Sequence, residues 1–366
     1  MPLKLPFRIS KTTSNDATVA PVDNESRPPL DWDMASKRDF ISVVREFSEV
    51  EPVRAVLAIV VQWAVIAITV FTALQIRKWV FFGFAGIVIA TRQHAMAILV
   101  HEAVHYRLFR RRWVNDLLSN YLLAYPLGIS TAMYRSWHFR HHRFVGSAAD
   151  PEYTLAHTDV NNWGWPGPRS KLIRTLLADI SGRNFPMLVR MVQPWSPPLQ
   201  LLPRKRSIFR ANVPRNDIIG FTAFSLLVLA LIWRWPFIST GVLALWILSM
   251  CSVTTTIVHI RSIAEHLAVE GTNELNTTRT VRPTWLERLL IAPFNVNYHL
   301  EHHMFPSVPW YNLNRLNRFL MRDEGFRSAA HITITYLDAE KGLIGEITHK
   351  SDKARQGVKT EYTDAM

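Results

Sequence analysis

Long apolar runs alternate with polar, basic stretches along the chain, and the runs define its predicted elements. Residues 55–74 read AVLAIVVQWAVIAITVFTAL, with Gln62 the one strongly polar member. At about 1.5 Å per residue, such a helix matches the roughly 30 Å hydrocarbon core of a bilayer. A short basic link, Gln75–Lys78, leads into a second run that starts at Trp79, acquires Arg92, Gln93 and His94, and ends near Val100. Those polar residues predict that its later turns face protein or water rather than lipid. A second pair follows: Ile218–Trp233 and, after the Arg234-Trp235-Pro236 turn, Phe237–His259. The pattern predicts an all-α integral membrane protein with four transmembrane helices in two short-looped hairpins.

Between the hairpins, Leu117–Met133 is apolar but interrupted by Asn120, Pro126 and Gly128, which predicts a re-entrant or interfacial helix. Lys171–Val192 mixes Leu, Ile and Met with Arg174, Asp179, Arg183 and Arg190. It reads either as a helix in the headgroup plane or as an ordinary helix of a polar cap. Residues 101–215 carry 17 Lys and Arg against 6 Asp and Glu, including Arg110-Arg111-Arg112 and Arg204-Lys205-Arg206. The short links are far poorer, so the long middle segment and both termini are expected on the cytoplasmic side. The first 36 residues are polar and read as a tail rather than a signal peptide. Residues 37–340 then form one membrane domain, with the segment after Gly342 expected to be loose within a polar tail at 341–366. No repeat of 20 to 50 residues is visible.

Composition narrows the classes. With 48% apolar and 19% charged residues, disorder, a collagen-like fibre and a coiled coil are excluded. The formal charge of +13 suits a membrane protein whose basic residues mark the cytoplasmic side and bind anionic headgroups. No nucleic-acid-binding motif accompanies it, so nucleic acid is not an expected partner. The single cysteine, Cys251, lies inside an apolar run, which excludes an intrachain disulfide, a C-x-x-C redox pair and cysteine-held zinc or iron–sulfur sites. Any metal must therefore be held by histidine and oxygen.

The histidines supply that chemistry. His101 and His105 form H-x-x-x-H after the second run, while His138, His141, His142 and His299, His302, His303 form two H-x-x-H-H patterns. An H-x-x-H-H pattern arises by chance on the order of 0.02 times in a chain of this length and histidine content. On a helix, positions i, i+3 and i+4 share a face, so each pattern is expected to direct its imidazoles toward one point. Eight clustered imidazoles exceed what one metal takes, which implies two. His266 follows the fourth run much as His101 follows the second, so both even-numbered helices are expected to leave the bilayer and deliver ligands to one cytoplasmic site. Imidazole ligation alone leaves iron, zinc, copper and nickel open. Glu102, Glu265 and Glu301 each adjoin a clustered histidine and are candidates for outer carboxylates that orient or charge-balance metal-bound rings, against the alternative of simple solvated acids; Asp150 is a fourth. His94, two turns before His101, reads as a site residue or as a buried hydrogen-bonded histidine. His157, His259, His331 and His349 have no clustered partner and stay outside the ligand set.

At these residues the chain resembles the membrane fatty acid desaturase family of non-haem di-iron enzymes. The matching pieces are HEAVH at 101–105, WHFRHH at 137–142 followed by Asp150-Pro151-Glu152, RSIAEH at 261–266 and NYHLEHHMFP at 297–306, within roughly residues 50–320. The resemblance implies a four-helix stem and a cytoplasmic helical cap holding two irons through His101, His105, His138, His141, His142, His266, His299, His302 and His303. The acyl-CoA branch of that family has an asparagine four residues before the histidine that matches His266. Here that position is Ser262, so a water-mediated tenth contact stays unassigned. The three-residue spacing of the first box is like the acyl-lipid and related bacterial branches. With no His-Pro-Gly-Gly haem-binding loop in the sequence, electrons are expected from an external donor of ferredoxin or haem-protein type with its reductase.

The implied activity is O2-dependent removal of two hydrogens from an acyl chain or acyl-lipid-like amphiphile at the bilayer. Such chemistry on an unactivated C–H bond requires a redox cofactor, with the protein supplying position and a dry cavity. Hydroxylases and ketolases of the same family share the boxes, and family members such as the dihydrorhizobitoxine desaturase act on other molecules. From a different class, a membrane zinc hydrolase needs few ligands, one open position and a carboxylate base; the surplus of histidines argues against it. A non-catalytic metal carrier would place its site near the bilayer midplane between broken helices, whereas these boxes lie at or beyond the ends of the spans.

Overall fold

The computed structural model describes residues 38–201, 212–269, 271 and 274–348. The predicted tail at 1–36, the Arg204-Lys205-Arg206 run, His349 and the rest of the segment beyond Thr348 lie outside the described residues. Among these residues the chain is mostly helical. Helix α1 (Arg38–Phe47) precedes two long apolar helices, α2 (Pro52–Ile76) and α3 (Trp79–Val104), separated only by Arg77 and Lys78 and packed along each other. Arg77 takes up φ 55°, and its N–H donates to the Ala73 carbonyl, which closes α2. A second pair, α11 (Arg215–Arg234) and α12 (Pro236–Ser249), is joined through Trp235. A π-helical stretch, Met250–Thr254, runs on without a break into α13 (Thr255–His266).

Among the described residues, four segments are long and apolar enough to cross a membrane: Pro52–Ile76, Trp79–Val104, Arg215–Arg234 and Pro236–His266. The last is 31 residues, about 46 Å at 1.5 Å per residue, some three turns more than a roughly 30 Å core requires. The surplus carries His259 and His266. Helix α3 is likewise longer than expected and takes in His101. From Ile89 onward it is almost wholly buried, including Gln93 and His94, in agreement with the prediction that its later turns avoid lipid. Gln93 donates to the Trp246 carbonyl at 2.9 Å and accepts from the Thr254 hydroxyl at 2.5 Å, which ties α3 to the fourth long segment.

The remaining elements surround the ends of α3 and α13. Helix α4 (Arg112–Ser119) passes into a π stretch, Asn120–Ala124, and a 3-10 turn, Tyr125–Leu127. Gly128 (φ 75°) then reverses the chain, so Leu117–Met133 is two short helical pieces and a turn rather than one helix. Ser130 caps α5 (Thr131–Phe144) by accepting from the Met133 N–H. Three helices follow: α6 (Pro151–Thr158), α7 (Val160–Trp163) and α8 (Arg169–Ile180). Helices α9 (Phe185–Val192) and α10 (Pro197–Leu201) complete the middle segment. Lys171–Val192 is thus broken in two, because Gly182 sits at φ 78° and the Asn184 amide turns back to Asp179 at 2.7 Å. Strand β1 (Thr280–Arg282), α14 (Trp285–Leu290), α15 (His299–Met304), α16 (Leu313–Leu320) and α17 (Glu324–Ala329) lead to β2 (Ile332–Ile334) and α18 (Leu343–Ile347). The two strands pair in parallel, Thr280 opposite Ile332, and add a small sheet to the expected all-α architecture.

The expected loose segment after Gly342 is corrected by α18. Leu343 and Ile347 are buried in the same core as Ile263 and Val281. Glu346 accepts from Arg279 at 2.7 Å and from Thr333 at 2.6 Å. Burial alone would raise the Glu346 carboxyl, but Arg279, His331 and Thr333 outweigh it and hold it down at about 2. Arg279 also donates to the carbonyls of Leu267 and Ala268. The C-terminal helix is thereby fastened to the chain just after His266.

Candidate metal centre

All nine histidines of the predicted set meet at one place, but not box by box. His101, His105, His138, His142 and His302 form one group, and His141, His266, His299 and His303 form a second; in each, the candidate ligand nitrogens lie within 4.8 Å of one another. Donors around one ion at 2.0–2.1 Å lie at most about 4.2 Å apart, so both groups are nearly as tight as a coordination sphere. The expectation that each H-x-x-H-H pattern serves one point is therefore corrected: His141 leaves His138 and His142 for the second group, and His302 leaves His299 and His303 for the first.

The ring nitrogens converge without conventional partners. The Nε2 atoms of His142 and His138 face each other at 2.9 Å, those of His142 and His302 at 3.1 Å, and those of His299 and His266 at 2.9 Å. His303 Nε2 lies 3.1 Å from His299 Nε2 and 3.3 Å from His141 Nε2. Nε2 of His101 and of His105 and Nδ1 of His138 are buried with no hydrogen-bond partner. Burial of this kind is costly for a polar atom unless something binds it. Burial also pushes His105 down to about 3, with Arg107 and Arg135 adding to the effect. His138, His142, His299, His302 and His303 are held well below the ordinary range by burial first and by each other second. Neutral imidazoles with free lone pairs are what a metal requires, so the donor set fits two ions. Nitrogen ligation suits iron, zinc, copper or nickel.

The four outer carboxylates divide. Asp150, 3% exposed, accepts from His141 Nδ1 at 3.0 and 3.1 Å and aims Nε2 at the second group. Its oxygens also accept from the N–H groups of Glu152 and Gly146, which fix the start of α6. Burial works against charge on His141, yet Glu152 and Asp150 outweigh it and raise this ring alone within the cluster. Glu265 lies 3.4 Å from His299 Nδ1 and is clamped by two 2.6 Å bonds from Arg261. Glu102 is 4.0 Å from His101 Nδ1 and accepts from the Trp310 N–H at 3.0 Å. The expectation for Glu301 is corrected: its carboxylate accepts from Thr280 at 2.5 Å and Asn317 at 2.6 Å, holding α15 to β1 and α16 rather than orienting a histidine. Sequence reading missed Arg261 and Glu152, the latter 3.9 Å from His141 Nδ1; Arg261 lies five residues before His266 on the same helix, whereas Glu152 lies ten residues beyond His142, at the start of α6.

The remaining described histidines are hydrogen-bonded outside the cluster. His94 Nε2 reaches the Ile291 carbonyl at 2.9 Å, which is the buried structural alternative. His259 meets Asp179 at 3.0 Å and the Asn162 carbonyl at 3.1 Å, His157 meets the Tyr153 carbonyl at 2.8 Å, and His331 meets Glu346 at 3.1 Å.

A cavity of about 680 Å³ borders the centre on the side of His266 and Asp150. It runs past Val258 on α13 to Thr254 and Met250 of the preceding π-helical stretch, between walls that include Trp137, Trp163 and Trp195. Among the nine histidines only His266 lines it, so the four-histidine group is the one that meets its contents.

Four long apolar helices and a buried nine-histidine centre beside an apolar cavity define a helical membrane protein with a candidate two-metal site. The sequence profile described as fatty acid desaturase matches residues 77–335, and the chain belongs to that family. Its members are enzymes, and desaturases are oxidoreductases. The chain is 23% identical over 328 residues to the dihydrorhizobitoxine desaturase of Bradyrhizobium elkanii, covering 88% of this chain and 91% of that one. It is 25% identical over 276 residues to the Delta(5) fatty acid desaturase fat-4 of Caenorhabditis elegans, covering 67% and 58%. To the sphingolipid delta(4)-desaturase/C4-monooxygenase DES2 of Homo sapiens it is 24% identical over 249 residues, covering 64% of each.

Proposed function

We propose that this chain is an O2-dependent membrane desaturase that introduces a carbon–carbon double bond into an acyl chain or acyl-lipid-like amphiphile. The observation that carries the reading is the sorting of nine imidazoles into groups of five and four, with the four-membered group opening on a 680 Å³ cavity. His101, His105, His138, His142 and His302 would hold one iron, and His141, His266, His299 and His303 the other. When bound, the iron pair supplies the oxidising power, drawn from O2, that no side-chain acid or base has for an unactivated C–H bond. The electrons balance: reduction of O2 to two waters takes four, two from the substrate carbons as two hydrogens leave and two from an external ferredoxin or haem protein.

The chain's own residues position and shield. The cavity walls exclude water from the oxidising site. Asp150 and Glu265 set the rings of His141 and His299, and the continuous helix from Pro236 to His266 fixes a substrate's depth relative to them. The four long apolar segments would span the bilayer as two hairpins. Trp79, Trp233 and Phe237, exposed at 83%, 85% and 93%, would sit as aromatic anchors at the interface remote from the histidines. The histidine centre, the helical cap around it and both chain ends would then face the cytoplasm, with residues 37–340 as the membrane domain extended by α18.

A second reading, hydroxylation, is favoured by the paired activity in the name of the DES2 relative. Mass spectrometry of lipids and polar metabolites from cells expressing the chain, against the His142→Ala variant, tests both. Loss of two hydrogens from acyl lipids is expected. Gain of one oxygen would favour hydroxylation, and loss confined to a polar metabolite would overturn the substrate class.

A further inference from the structure

Three short elements around the ends of the long helices keep an apolar face open. On α8, Ile173, Leu177 and Ile180 share one face and are each more than half exposed, while Leu172, Thr175 and Asp179 on the other are buried. On α4 and the π stretch that continues it, Trp113, Leu117, Tyr121 and Leu122 are exposed opposite buried Asn115, Ser119 and Leu123. On α14, Trp285, Leu286 and Leu289 are exposed and Glu287 is turned inward. A contact with a long helix gives the depth of each element. Gly182, just past α8, packs so closely on the fourth long segment that a Cβ there would lie 3.5 Å from the Cys251 carbonyl oxygen. Trp63 Nε1 donates to the Leu122 carbonyl at 2.9 Å, and His94 Nε2 meets the carbonyl of Ile291, at the end of α14, at 2.9 Å. From Pro236 to Cys251, from Ile76 back to Trp63 and from Trp79 to His94, the helices rise about 20–23 Å. All three distances start from the end that carries the exposed Trp79, Trp233 and Phe237. Three separate contacts thus agree on one level, about 7–10 Å short of the near edge of a roughly 30 Å hydrocarbon core. The usual helix tilt of about 20° lowers that level further.

We propose that α8, the α4–π stretch and α14 form a collar set into the histidine-side leaflet, with their exposed faces covered by lipid acyl chains. This rests on the reading of the four long segments as bilayer spans, and not on the chemistry of the histidine centre. Helices lying in an interface bury their apolar face about 5–10 Å into the headgroup and acyl boundary, which is the depth the three contacts give. Left in water, the same faces would forgo the free energy of burying their apolar surface. Charge agrees with the placement. Exposed Arg110, Arg111 and Arg112 lead into α4, and exposed Arg174 follows Ile173 on α8, where anionic headgroups meet them. Trp113 and Trp285 are rings of the kind that favour this level. The cavity reaches Thr254 and Met250, which flank Cys251 in the fourth long segment, so its far end lies at the depth of the leaflet rather than of the water above it.

The test uses the full chain, its single cysteine removed by Cys251→Ser, in vesicles of mixed phosphatidylcholine and phosphatidylglycerol. Nitroxide labels are attached one at a time to Leu177→Cys or Ile180→Cys, Leu117→Cys or Leu122→Cys, and Leu286→Cys or Leu289→Cys. Each face has two sites, so one variant that fails to fold leaves its face measured. Val60→Cys and Leu227→Cys, exposed on two of the long helices, set the value for lipid. Ser328→Cys and Arg322→Cys, exposed beyond α16, set the value for water. Electron paramagnetic resonance compares collisions with dissolved O2, which concentrates in hydrocarbon, and with a water-soluble nickel chelate. Labels on all three faces should favour O2 as the Val60 label does, at depths of about 5–10 Å. Nickel access at the Ser328 level on any of the three faces overturns the collar. Poor access to both reagents would mean that protein, such as a second copy of the chain, covers the face, and overturns lipid as the occupant. Nickel access at Val60 and Leu227 too would instead overturn the reading of the spans.

Discussion

Replacing Asp150 by Asn separates charge from shape at one point of the centre. Asparagine caps a helix about as well as aspartate, so the start of α6, where Asp150 accepts from the Glu152 N–H at 2.8 Å, should survive. What is lost is the carboxylate that accepts from His141 Nδ1 at 3.0 and 3.1 Å. Removing an outer carboxylate typically costs 10–100-fold in metal affinity, or about 1.4–2.7 kcal/mol. Because His141 belongs to the four-histidine group, the loss should fall on one ion of two. The assay is metal content by mass spectrometry after dialysis against graded chelator, with thermal melts of the metal-free protein alongside. One iron per chain should leave at 10–100-fold lower chelator while the metal-free melting temperature is nearly unchanged. Wild-type retention of both ions in Asp150→Asn, and again in Asp150→Asn with Glu152→Gln, would refute the assignment of Asp150 to His141.

Three further outcomes follow from the same geometry. Substituting Ala for His138, His142, His299 or His303 should abolish turnover, since each removes a ligand; wild-type activity in most of the four would refute the ligand set. Glu301→Gln should instead lower thermal stability by about 1–3 kcal/mol through its bonds to Thr280 and Asn317, with iron per chain preserved in whatever fraction folds; selective loss of one iron from folded protein would restore Glu301 to the metal centre. Glu346 is held at about 2, below the ordinary glutamate value near 4.3. Its contribution is thus fully present at neutral pH and drains away as pH falls from about 4 to about 2. Melting temperatures recorded over that window should decline less steeply in Glu346→Gln, and parallel wild-type and variant curves would contradict the Arg279–Glu346 pairing.

Much of this architecture was legible because it follows from composition along the chain. The four apolar segments, the burial of the later turns of α3 and the membership of the histidine set rest on local pattern, and all were visible in residues 55–74, 79–100, 218–259 and the boxes. Other features depend on contacts between distant segments. The structural role of Glu301 comes from Thr280 and Asn317, and the packing of α18 comes from Arg279, none of which local polarity reports. The break between α8 and α9 was signalled by Gly182 and Pro186 but overridden by the amphipathic run around them.

The division of the boxes was also within reach of the sequence, through helical geometry carried one step further. At about 100° per residue, positions i and i+4 differ by about 40°, whereas i+3 falls about 60° to the other side of i and about 100° from i+4. One H-x-x-H-H helix therefore cannot aim all three rings at a single ion as well as it can aim two at one and the third at a neighbour. Helix α5 sends His138 and His142 to the first group and His141 to the second, and α15 does the complement, His299 and His303 to the second and His302 to the first. His101 and His105 at the end of α3 complete five, and His266 at the end of α13 completes four. Two such helices laid against each other contribute to both histidine groups, so a histidine lost from either helix weakens a shared frame. The unequal count is equally a consequence of topology: the long segment from Pro236 delivers one histidine where α3 and its C-cap deliver two, and the group that has four rather than five is the one whose His266 lines the cavity.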